Sequence, residues 1–555
     1  MNIEPTAVPR SPLGVRAAQW SQFLDTHGSA QFLLALVVIV AVKWQTLLEP
    51  PVWDTAMGLF PAALTLSANN FDLLDLLAMP AFLDGGPNVH SLSPVTLMTA
   101  LVLQATGGGG PPTFLVLHLL HFVVAAHALV VLFGFSKPVF GKASALLFCL
   151  AVLLFPVFSV QVGYMYLEVP LFLCAVSALR AWTDQRFWQA VLWATGAFAV
   201  KETGIIVPAT LGIFAVLDQR NTRLKAKRVA MIMAPPLALM AITLLLSRLA
   251  GVAPGARVGL VEPLSLADTL RALLLSTNHF LLKVPDLWAL LILFPFALAA
   301  FGPEVLRTLR REPTDPLNRD PKNRAHLVLG YSGTLSAVFI LMSAVVLPVS
   351  FSYPLVLPRY SVMIAPFLLL WFGYACQQVL ADRLRSATVF CFALLSVFFA
   401  VNSNGVLYPS DIDSARPGND PSLTERSNAY RRLLVLEREA IHALEELPDG
   451  VPVYYGIYEH YLFKYPGLGF ADQPLSNGHN FNVESLEELI EEEPMPPCIY
   501  ALYNNPWLGG EKIRELIAYA DSAENLSSEL VQEFRDGRYV ISLVRIQQRG
   551  VACPR

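Results

Sequence analysis

Side chains that can do chemistry stand at the ends of long apolar runs in this 555-residue chain. The acids are Asp54, one residue after Trp53, and Glu168, and the bases are His90, Lys201 and Arg359. A carboxylate at a membrane surface can take a proton from a hydroxyl group as a general base. Ammonium and guanidinium groups bind phosphate oxygens. The pattern predicts an acid–base and phosphate-binding site assembled from separate loops.

Each acid also has a purely structural interpretation. Asp54 could be a helix-end carboxylate in water, since Trp53 before it favours the membrane interface. Glu168 could be a solvated acid in the first turn of a helix, where the helix dipole stabilises negative charge. Polar groups near membrane depth are costly and tend to be paired or functional, so both acids remain site candidates.

The three bases have similar alternatives. Lys201 precedes Glu202, and the two could form a local ion pair of little energetic value, or Lys201 could hold a phosphate. Arg359 precedes Tyr360 and opens an apolar run, where it is either a snorkelling anchor or a phosphate clamp. His90 is either structural, or donates a hydrogen bond to an anion, or binds a metal.

The composition is that of a membrane protein. The chain is 54% hydrophobic and 15% charged, whereas soluble proteins carry roughly 25% charged residues. A net charge of −4 gives no reason to expect a nucleic-acid partner. The mostly polar start of the chain does not have the pattern of a cleavable signal peptide. We therefore expect a polytopic α-helical protein in contact with membrane lipids.

About eleven apolar runs are candidate membrane spans, and they cover residues 31–48, 112–134, 143–160, 167–182, 187–203, 204–217, 229–248, 286–302, 326–348, 361–380 and 386–401. Connections rich in Lys and Arg alternate with poorer ones, as the positive-inside rule requires. This alternation places residues 1–30 in the cytoplasm and the carboxy terminus outside. The predicted transmembrane domain is 31–401, with a large first outer loop at 49–111.

Residues 94–106 must not cross the membrane if this topology holds. The segment has ~13 residues, against the roughly 20 that a span needs. The Gly107–Gly110 run and the prolines after it end the segment. We predict an interfacial or re-entrant helix, and the alternative is a short true span that shifts the parity.

The chain after residue 401 has a soluble character and the size of one domain. We predict a linker at 402–424 and a small extracytoplasmic α/β domain at 425–555. Its predicted helices lie at 425–447, 483–492 and 510–520, and its predicted strands at 451–455, 498–502 and 538–545. We expect this domain to help admit or select an acceptor.

The cysteines leave one question open. Cys498 and Cys553 lie in the tail and could form a disulfide outside the cytoplasm. Two free thiols are an alternative, because pairing cannot be read from a sequence. The other four lie in apolar runs and are interpreted as small core residues.

Taken in order, these motifs resemble the GT-C superfamily of membrane glycosyltransferases. The motifs are Trp53-Asp54, His90 with Pro94, Glu168-Val169-Pro170, Lys201-Glu202-Thr203-Gly204, and Pro358-Arg359-Tyr360 with Pro366. The nearest branch contains protein O-mannosyltransferases and the aminoarabinose transferase of lipid A. The resemblance covers residues 30 to 400, and it depends on the order and common sidedness of motifs that are individually weak.

The resemblance implies a GT-C-like fold and an inverting transfer of a sugar, hexose or pentose, from a polyprenyl-phosphate-linked donor. The transfer would take place at the outer face of a cell membrane, in a bacterium the inner membrane. Asp54 would be the general base, and Glu168 would support the site or the acceptor. Lys201 and Arg359 would neutralise the lipid phosphate, with His90 beside them. The supporting residues would be Trp53, Glu202 and Tyr360.

This chain departs from the family pattern in three places. Relatives often have adjacent prolines where Ser91-Leu92-Ser93 precedes Pro94 here. The second acid is often Asp, and many relatives have Thr-Lys-Gly around the position of Lys201. These differences leave the predicted fold unchanged, but they bear on the identity of the donor and the role of His90.

The resemblance requires no cofactor. The Gly107–Gly110 run is a predicted turn, because it does not follow a strand as a nucleotide-binding loop does. A divalent metal would have to use the acids and the histidine of the first outer loop, which are Asp54, Asp72, Asp75, Asp84 and His90. They lack the His and Cys spacing of a strong metal site.

Two other functions share parts of this pattern. A transporter or flippase of lipid-linked sugar predicts ionisable groups at mid-membrane and repeated halves, whereas the charges here cluster at outer ends. A polysaccharide polymerase or ligase usually centres on a large later outer loop, and here the large loop is early. The acceptor stays open between lipid, glycan and protein.

Overall fold

The computed structural model describes residues 28–52, 55–78, 93–217, 222–250, 285–310, 321–342, 358–380, 387–403, 430–447, 450–475, 477–480, 496–505, 510–536 and 539–553. Trp53, Asp54 and His90 lie outside these ranges, as do Asp84 and the predicted helix at 483–492. Most of the predicted linker at 402–424 also lies outside them.

Fifteen helices precede the carboxy-terminal domain within the described part of the chain. They are α1 Gly28–Lys43, α2 Phe60–Ala68, α3 Leu73–Ala78, α4 Pro94–Thr106, α5 Pro111–Phe140, α6 Lys142–Leu154, α7 Pro156–Tyr164, α8 Glu168–Thr183, α9 Phe187–Val200, α10 Ile206–Leu217, α11 Thr222–Leu249, α12 Pro285–Arg310, α13 Pro321–Leu341, α14 Ala365–Leu380 and α15 Ala387–Ser403. Short 3-10 turns at Glu202–Ile205 and Pro358–Met363 precede α10 and α14.

Every predicted apolar run coincides with one of these helices or with the pair α6–α7. Among the described residues, five helical stretches are long and apolar enough to cross a membrane, one at each of α1, α5, α11, α12 and α13. The pair α6–α7, bent by 64°, would be a sixth span. The helical membrane fold is thus confirmed, whereas the count of about eleven spans stays a prediction because several helices are shorter.

Helix α4 has 13 residues and occupies the predicted interfacial segment. Ser93 caps it, since its side chain accepts a hydrogen bond from the backbone N–H of Val95. Gly107 ends it in the left-handed conformation, with φ of 86°. The helix is therefore confirmed, and its position relative to a membrane stays a prediction.

The carboxy-terminal domain is a small α/β unit. It contains α16 Tyr430–Glu445, β1 Val453–Tyr455, α17 Ile457–Lys464, β2 Gly478–Asn480, β3 Cys498–Asn505, α18 Gly510–Ser522, β4 Leu526–Asp536 and β5 Tyr539–Gln548. The sheet order is β2-β1-β3-β5-β4, with β1 parallel to β2 and β3, and with β5 antiparallel to β3 and β4. Three predicted strands and two predicted helices are present, and β2, β4 and α17 were not predicted.

The open question about the tail cysteines has an answer in the structure. Cys498, at the start of β3, and Cys553, near the carboxy terminus, form a disulfide. Cross-linking the last residues to the sheet constrains the unfolded chain, which typically stabilises a domain by about 2–4 kcal/mol.

This domain shares a hydrophobic core with the first outer loop. Phe60 of α2 and Phe114 of α5 belong to the same buried cluster as Leu433 of α16 and Tyr461 of α17. The Arg431 side chain donates to the Glu49 carboxylate across the same interface. The two parts therefore form one folded unit at this end of the helices, and not a tethered pair.

A glycine contact adds to this interface. The backbone N–H of Gly110 donates to the carbonyl of Gly467, 3.3 Å away. A Cβ atom built on Gly109 would lie 2.5 Å from the Gly467 oxygen, closer than side-chain carbons approach in proteins. The predicted turn at Gly107–Gly110 thus also makes a close backbone contact with Gly467. A residue larger than glycine at position 109 would disrupt this contact.

A buried acidic pair lies inside the carboxy-terminal domain. The amide nitrogen of Asn504 donates to Glu459, at 3.1 Å, and to Glu437, at 3.4 Å. All three residues are about 2% exposed. Burial raises the pKa of Glu459 to about 7 and the pKa of Glu437 well above its ordinary value. Between the ordinary pKa of glutamate and pH 7, both carboxyl groups are therefore protonated in the folded protein, whereas the same groups are ionised in the unfolded chain.

Candidate active site

Glu168, Lys201 and Arg359 come together although they are far apart in sequence. Glu168 is the first residue of α8, Lys201 follows the last residue of α9, and Arg359 lies in the 3-10 turn before α14. Lys201 Nζ donates to Glu168 Oε1 over 2.6 Å. Arg359 Nε lies 3.7 Å from the same oxygen. We call these three residues the charged triad.

The charged triad is buried. Glu168 is 2% exposed, Lys201 5% and Arg359 7%. Glu168 is thus not a solvated first-turn acid, and Lys201 forms a tertiary ion pair with an acid 33 residues away, whereas Glu202 is exposed. Bringing charges out of water costs several kcal/mol per ion, roughly, so such a cluster persists only with good partners.

Aromatic rings surround the two cations. Lys201 Nζ lies 4.7 Å from the centre of the Tyr360 ring. The Arg359 guanidinium carbon lies 5.2 Å from the Tyr166 ring and 5.6 Å from the Tyr360 ring. The faces of aromatic rings attract cations, most strongly where water is excluded. The rings therefore flank both cations, and the supporting role of Tyr360 stays a prediction.

The turn between α7 and α8 positions Glu168 and Tyr166. Met165 has φ of 59°, in the left-handed region that non-glycine residues rarely adopt. The reversal there ends α7 at Tyr164 and lets α8 begin at Glu168. This turn therefore directs the carboxylate towards the ends of α9 and α14.

The residues next to Asp54 lie beside this turn. Thr55 directly follows Asp54, and its hydroxyl donates to the carbonyl of Tyr164 over 3.4 Å. Thr55 also begins a π-helical turn, Thr55–Leu59, which is fully buried. Such turns are rare and occur often at functional sites. The Thr55 hydroxyl therefore joins this π-helical turn to the last residue of α7, just before the turn that leads to Glu168.

The segment after His90 is fastened close to Lys201. The Ser93 hydroxyl donates to the carbonyl of Val200 over 2.9 Å, and Val200 directly precedes Lys201. Thr55 thus contacts the last residue of α7, and Ser93 contacts the last residue of α9, just before Lys201.

Several polar groups near the triad were not identified from the sequence. The Ser361 hydroxyl is fully buried, two residues after Arg359, and has no hydrogen-bond partner among the described residues. The hydroxyl of Thr203 likewise has none there. His121 and Gln161 lie inside apolar helices, where a single polar residue gives little sequence signal. Ser361 and Thr203 lie instead in the 3-10 turns Pro358–Met363 and Glu202–Ile205, beside residues that the sequence did identify.

Of the candidate metal ligands in the first outer loop, only Asp72 and Asp75 are among the described residues. Asp72 Oδ1 accepts from the backbone N–H of Leu74 over 2.8 Å, and Asp75 accepts from the Asn69 amide over 3.4 Å. Asp72 therefore caps the short helix α3. The only three residues with metal-ligand spacing in the described part of the chain are His442, Glu445 and Asp472, of which two are exposed.

No protein-family model and no curated protein matches this chain. Solved structures are similar to it. ArnT from Cupriavidus metallidurans bound to undecaprenyl phosphate is 14% identical, over 94% of this chain and 99% of that one, with a TM-score of 0.47. The oligosaccharyltransferase AglB from Archaeoglobus fulgidus, in complex with an inhibitory peptide and a dolichol-phosphate, is 12% identical, over 86% and 70%, with a TM-score of 0.43.

The resemblance to the GT-C superfamily stays a prediction from the motifs of the sequence, because both TM-scores are below 0.5. At these identities and TM-scores the likeness says nothing of substrates. The reaction has to be inferred from the residues of this chain.

Proposed function

We propose that this protein is an inverting glycosyltransferase that moves a sugar from a polyprenyl-phosphate donor to an acceptor at the outer face of the membrane. The observation that carries the proposal is the buried charged triad at the ends of α8 and α9. It holds two cations and one carboxylate at one point, and Thr55, which follows Asp54, bonds Tyr164 just before the turn that leads to Glu168.

The two cations suit a phosphate. An ammonium group has three N–H donors and a guanidinium has five, and the described contacts of Lys201 use one, with Glu168. Two donors of Lys201 are thus available to a further acceptor. A phosphate monoester or diester offers acceptor oxygens and negative charge, and charge-assisted hydrogen bonds of this type are about twice as strong as neutral ones.

Glu168 has a positioning role in this proposal. Its Oε1 atom contacts both Lys201 and Arg359, so it holds the two cations at one point before a ligand arrives. Preorganised charges stabilise a transition state without reorganising during the reaction. This is a different role from that of a second proton acceptor, because the carboxylate is already engaged.

Asp54 is the proposed general base. An acceptor hydroxyl has a pKa far above 7, so a carboxylate must take its proton as it attacks. The hydroxyl oxygen forms a bond to the anomeric carbon, and the bond from that carbon to the phosphate oxygen breaks. The electron pair goes to the phosphate, whose new negative charge Lys201 and Arg359 stabilise. Attack opposite the leaving phosphate inverts the anomeric configuration.

The donor class follows from where the charged triad lies. The triad is at the end of a bundle of apolar helices, so a phosphate bound there can carry a polyprenyl chain in the lipid around them. ArnT and AglB were solved with undecaprenyl phosphate and dolichol-phosphate, which are phosphates of this class. No cofactor takes part in the proposed steps.

The orientation in the membrane is part of the proposal. Disulfides persist in oxidising compartments and are rare in the cytoplasm, so the bond between Cys498 and Cys553 supports an outer position for the carboxy-terminal domain. The first outer loop shares the core of that domain, and so do Tyr164, Met165 and Tyr166 in the turn before Glu168. We therefore place the triad on the same side of the membrane as the domain. The amino terminus is then cytoplasmic.

Mass spectrometry of envelope glycolipids and glycoproteins tests the proposal. Cells lacking the protein are compared with cells that express the wild type or Asp54→Asn at equal levels. We expect a sugar-modified acceptor only with the wild type. Full modification in the Asp54→Asn cells would refute Asp54 as the base, and identical spectra in all cells would refute the proposed transfer.

A further inference from the structure

A second buried polar cluster lies on helices α5 and α7. His118 and His121 lie one turn apart on α5, and Gln161 lies on α7, one turn before Tyr164. They are 1%, 5% and 0% exposed, respectively. Buried polar groups are nearly always hydrogen-bonded, so the partners of this cluster need an explanation.

We assign the tautomers of the two histidines from their contacts. His118 Nε2 lies 3.1 Å from the carbonyl of Glu49. A carbonyl only accepts, so in the neutral ring Nε2 carries the proton and Nδ1 is an acceptor. His121 interacts with the backbone of Gln161, and we assign the proton of its neutral ring to Nδ1, so that Nε2 is an acceptor. Neither His118 Nδ1 nor His121 Nε2 has a partner in the described structure.

Gln161 adds both kinds of hydrogen-bonding group. Its side-chain oxygen and its side-chain nitrogen are buried, and both are without a partner among the residues described. An unpaired buried polar group typically costs about 1–3 kcal/mol. Four such atoms on three neighbouring residues are therefore a strong sign that another molecule supplies the missing bonds.

The chemistry of the cluster selects the kind of molecule. The cluster offers three acceptors and one amide NH₂ group, and no charged side chain. A phosphate oxygen has no proton to donate to the two imidazole acceptors. A hydroxyl group both donates and accepts, so it can donate to an imidazole nitrogen and accept from the Gln161 amide. A sugar ring carries several hydroxyl groups, so it can supply hydrogen-bond partners to all four atoms.

The cluster lies next to the charged triad. His121 is close enough to Glu168 to interact with it electrostatically, and Gln161 is on the helix that leads into the turn carrying Glu168. A phosphate on the triad would thus place an attached sugar within reach of the cluster.

We propose that His118, His121 and Gln161 form the subsite that binds the hydroxyl groups of the donor sugar. This inference rests on the function proposed above, and it goes further by assigning sugar recognition to three residues inside the helices. The polar cluster binds the sugar, and the charged triad binds its phosphate.

Binding to the full-length protein in lipid nanodiscs tests the subsite. The probes are undecaprenyl phosphate alone and undecaprenyl phosphate that carries glucose, mannose or a pentose. The variants are Gln161→Met and His121→Phe, and the control is His127→Phe, an exposed residue on the same helix. Undecaprenyl phosphate alone should bind wild type and all three variants equally, which also shows that they are folded.

We expect wild type to bind at least one sugar-bearing lipid about tenfold more tightly than the plain lipid phosphate, from one to two net hydrogen bonds. Gln161→Met and His121→Phe should lose this preference, and His127→Phe should keep it. If both variants keep the preference for the sugar-bearing lipid, the subsite proposal is overturned, although the assignment of the phosphate to the triad stands. Water would then be the only partner of these polar atoms. A bound transition metal that His121→Phe removes would also overturn it. Failure of wild type to bind undecaprenyl phosphate would instead refute the proposed function.

Discussion

Replacing Lys201 by methionine removes one cation of the charged triad and keeps the volume of the side chain. Lys201 Nζ lies 2.6 Å from Glu168 Oε1, and Arg359 Nε lies 3.7 Å from the same atom. The change therefore leaves the buried carboxylate with one cation. It also removes the ammonium that we assign to the donor phosphate.

The two distances set the magnitude for stability. With an effective dielectric constant of about 20, the attraction is roughly 6 kcal/mol at 2.6 Å and roughly 4.5 kcal/mol at 3.7 Å. The variant loses the larger attraction, but it also avoids the cost of burying the ammonium. Breaking a buried pair costs about 3–5 kcal/mol net. Because Arg359 remains beside Glu168, we expect the lower end of this range.

The effect on ligand binding is separate. A hydrogen bond to a charged group contributes about 1.5–3 kcal/mol, so Lys201→Met should weaken the binding of undecaprenyl phosphate about 10- to 150-fold. Lys201→Arg keeps the charge and should lose less. Binding is measured at a temperature where thermal unfolding shows every variant to be folded.

Lys142→Met is the matched control. Lys142 is exposed and begins α6, beyond the far end of the 30-residue helix α5, so it lies about 45 Å from the outer end of that helix. It should bind the lipid phosphate like wild type. Wild-type affinity in folded Lys201→Met, or an equal loss in Lys142→Met, would refute the assignment of Lys201 to the phosphate.

Three further predictions concern the carboxy-terminal domain. Gly109→Ala should lower the thermal unfolding temperature more than Gly108→Ala does. Both glycines have positive φ, but a Cβ atom at position 109 would lie 2.5 Å from the Gly467 oxygen, whereas one at position 108 would meet nothing within 4 Å; equal losses would contradict the contact. Glu459 has a raised pKa of about 7, so its contribution to stability is full below its ordinary pKa of 4.5 and is lost as the pH rises through 7. Glu459→Gln should flatten this fall in unfolding temperature between pH 5 and pH 8, whereas Glu439→Gln, at an exposed position, should not. Cys553→Ser should destabilise the domain by about 2–5 kcal/mol in denaturant unfolding, and an unchanged midpoint would show that the disulfide is dispensable.

The helices and the candidate triad residues could be predicted from the sequence because their signals are local. A long apolar run in a membrane forms a helix, because the helix satisfies its own backbone hydrogen bonds where water is absent. An acid or base at the end of such a run can be recognised from its own position in the sequence. Their pairing was not predictable. The adjacent residue Glu202 suggested a local partner for Lys201, whereas the fold supplies Glu168 from another helix. Such a contact depends on which helix ends meet.

Other features carry no sequence signal of their own. Strand β4 is mostly exposed and polar, so it lacks the alternation that identifies a half-buried strand. The Gly107–Gly110 run predicted a turn. The sequence did not show that Gly109 packs against Gly467, far along the chain, where a side chain would collide. His121 and Gln161 resemble single polar residues within apolar helices until the structure places them together.

The fate of the donor lipid tests the central claim most directly. Purified protein is reconstituted into liposomes with a lipid extract that contains polyprenyl-phosphate sugars and acceptors, and each lipid is quantified by mass spectrometry. For wild type we predict that free polyprenyl phosphate appears together with an equal amount of glycosylated acceptor, and that Asp54→Asn produces neither. Intact donor that merely crosses the bilayer in the presence of wild type would contradict a transferase and identify a transporter.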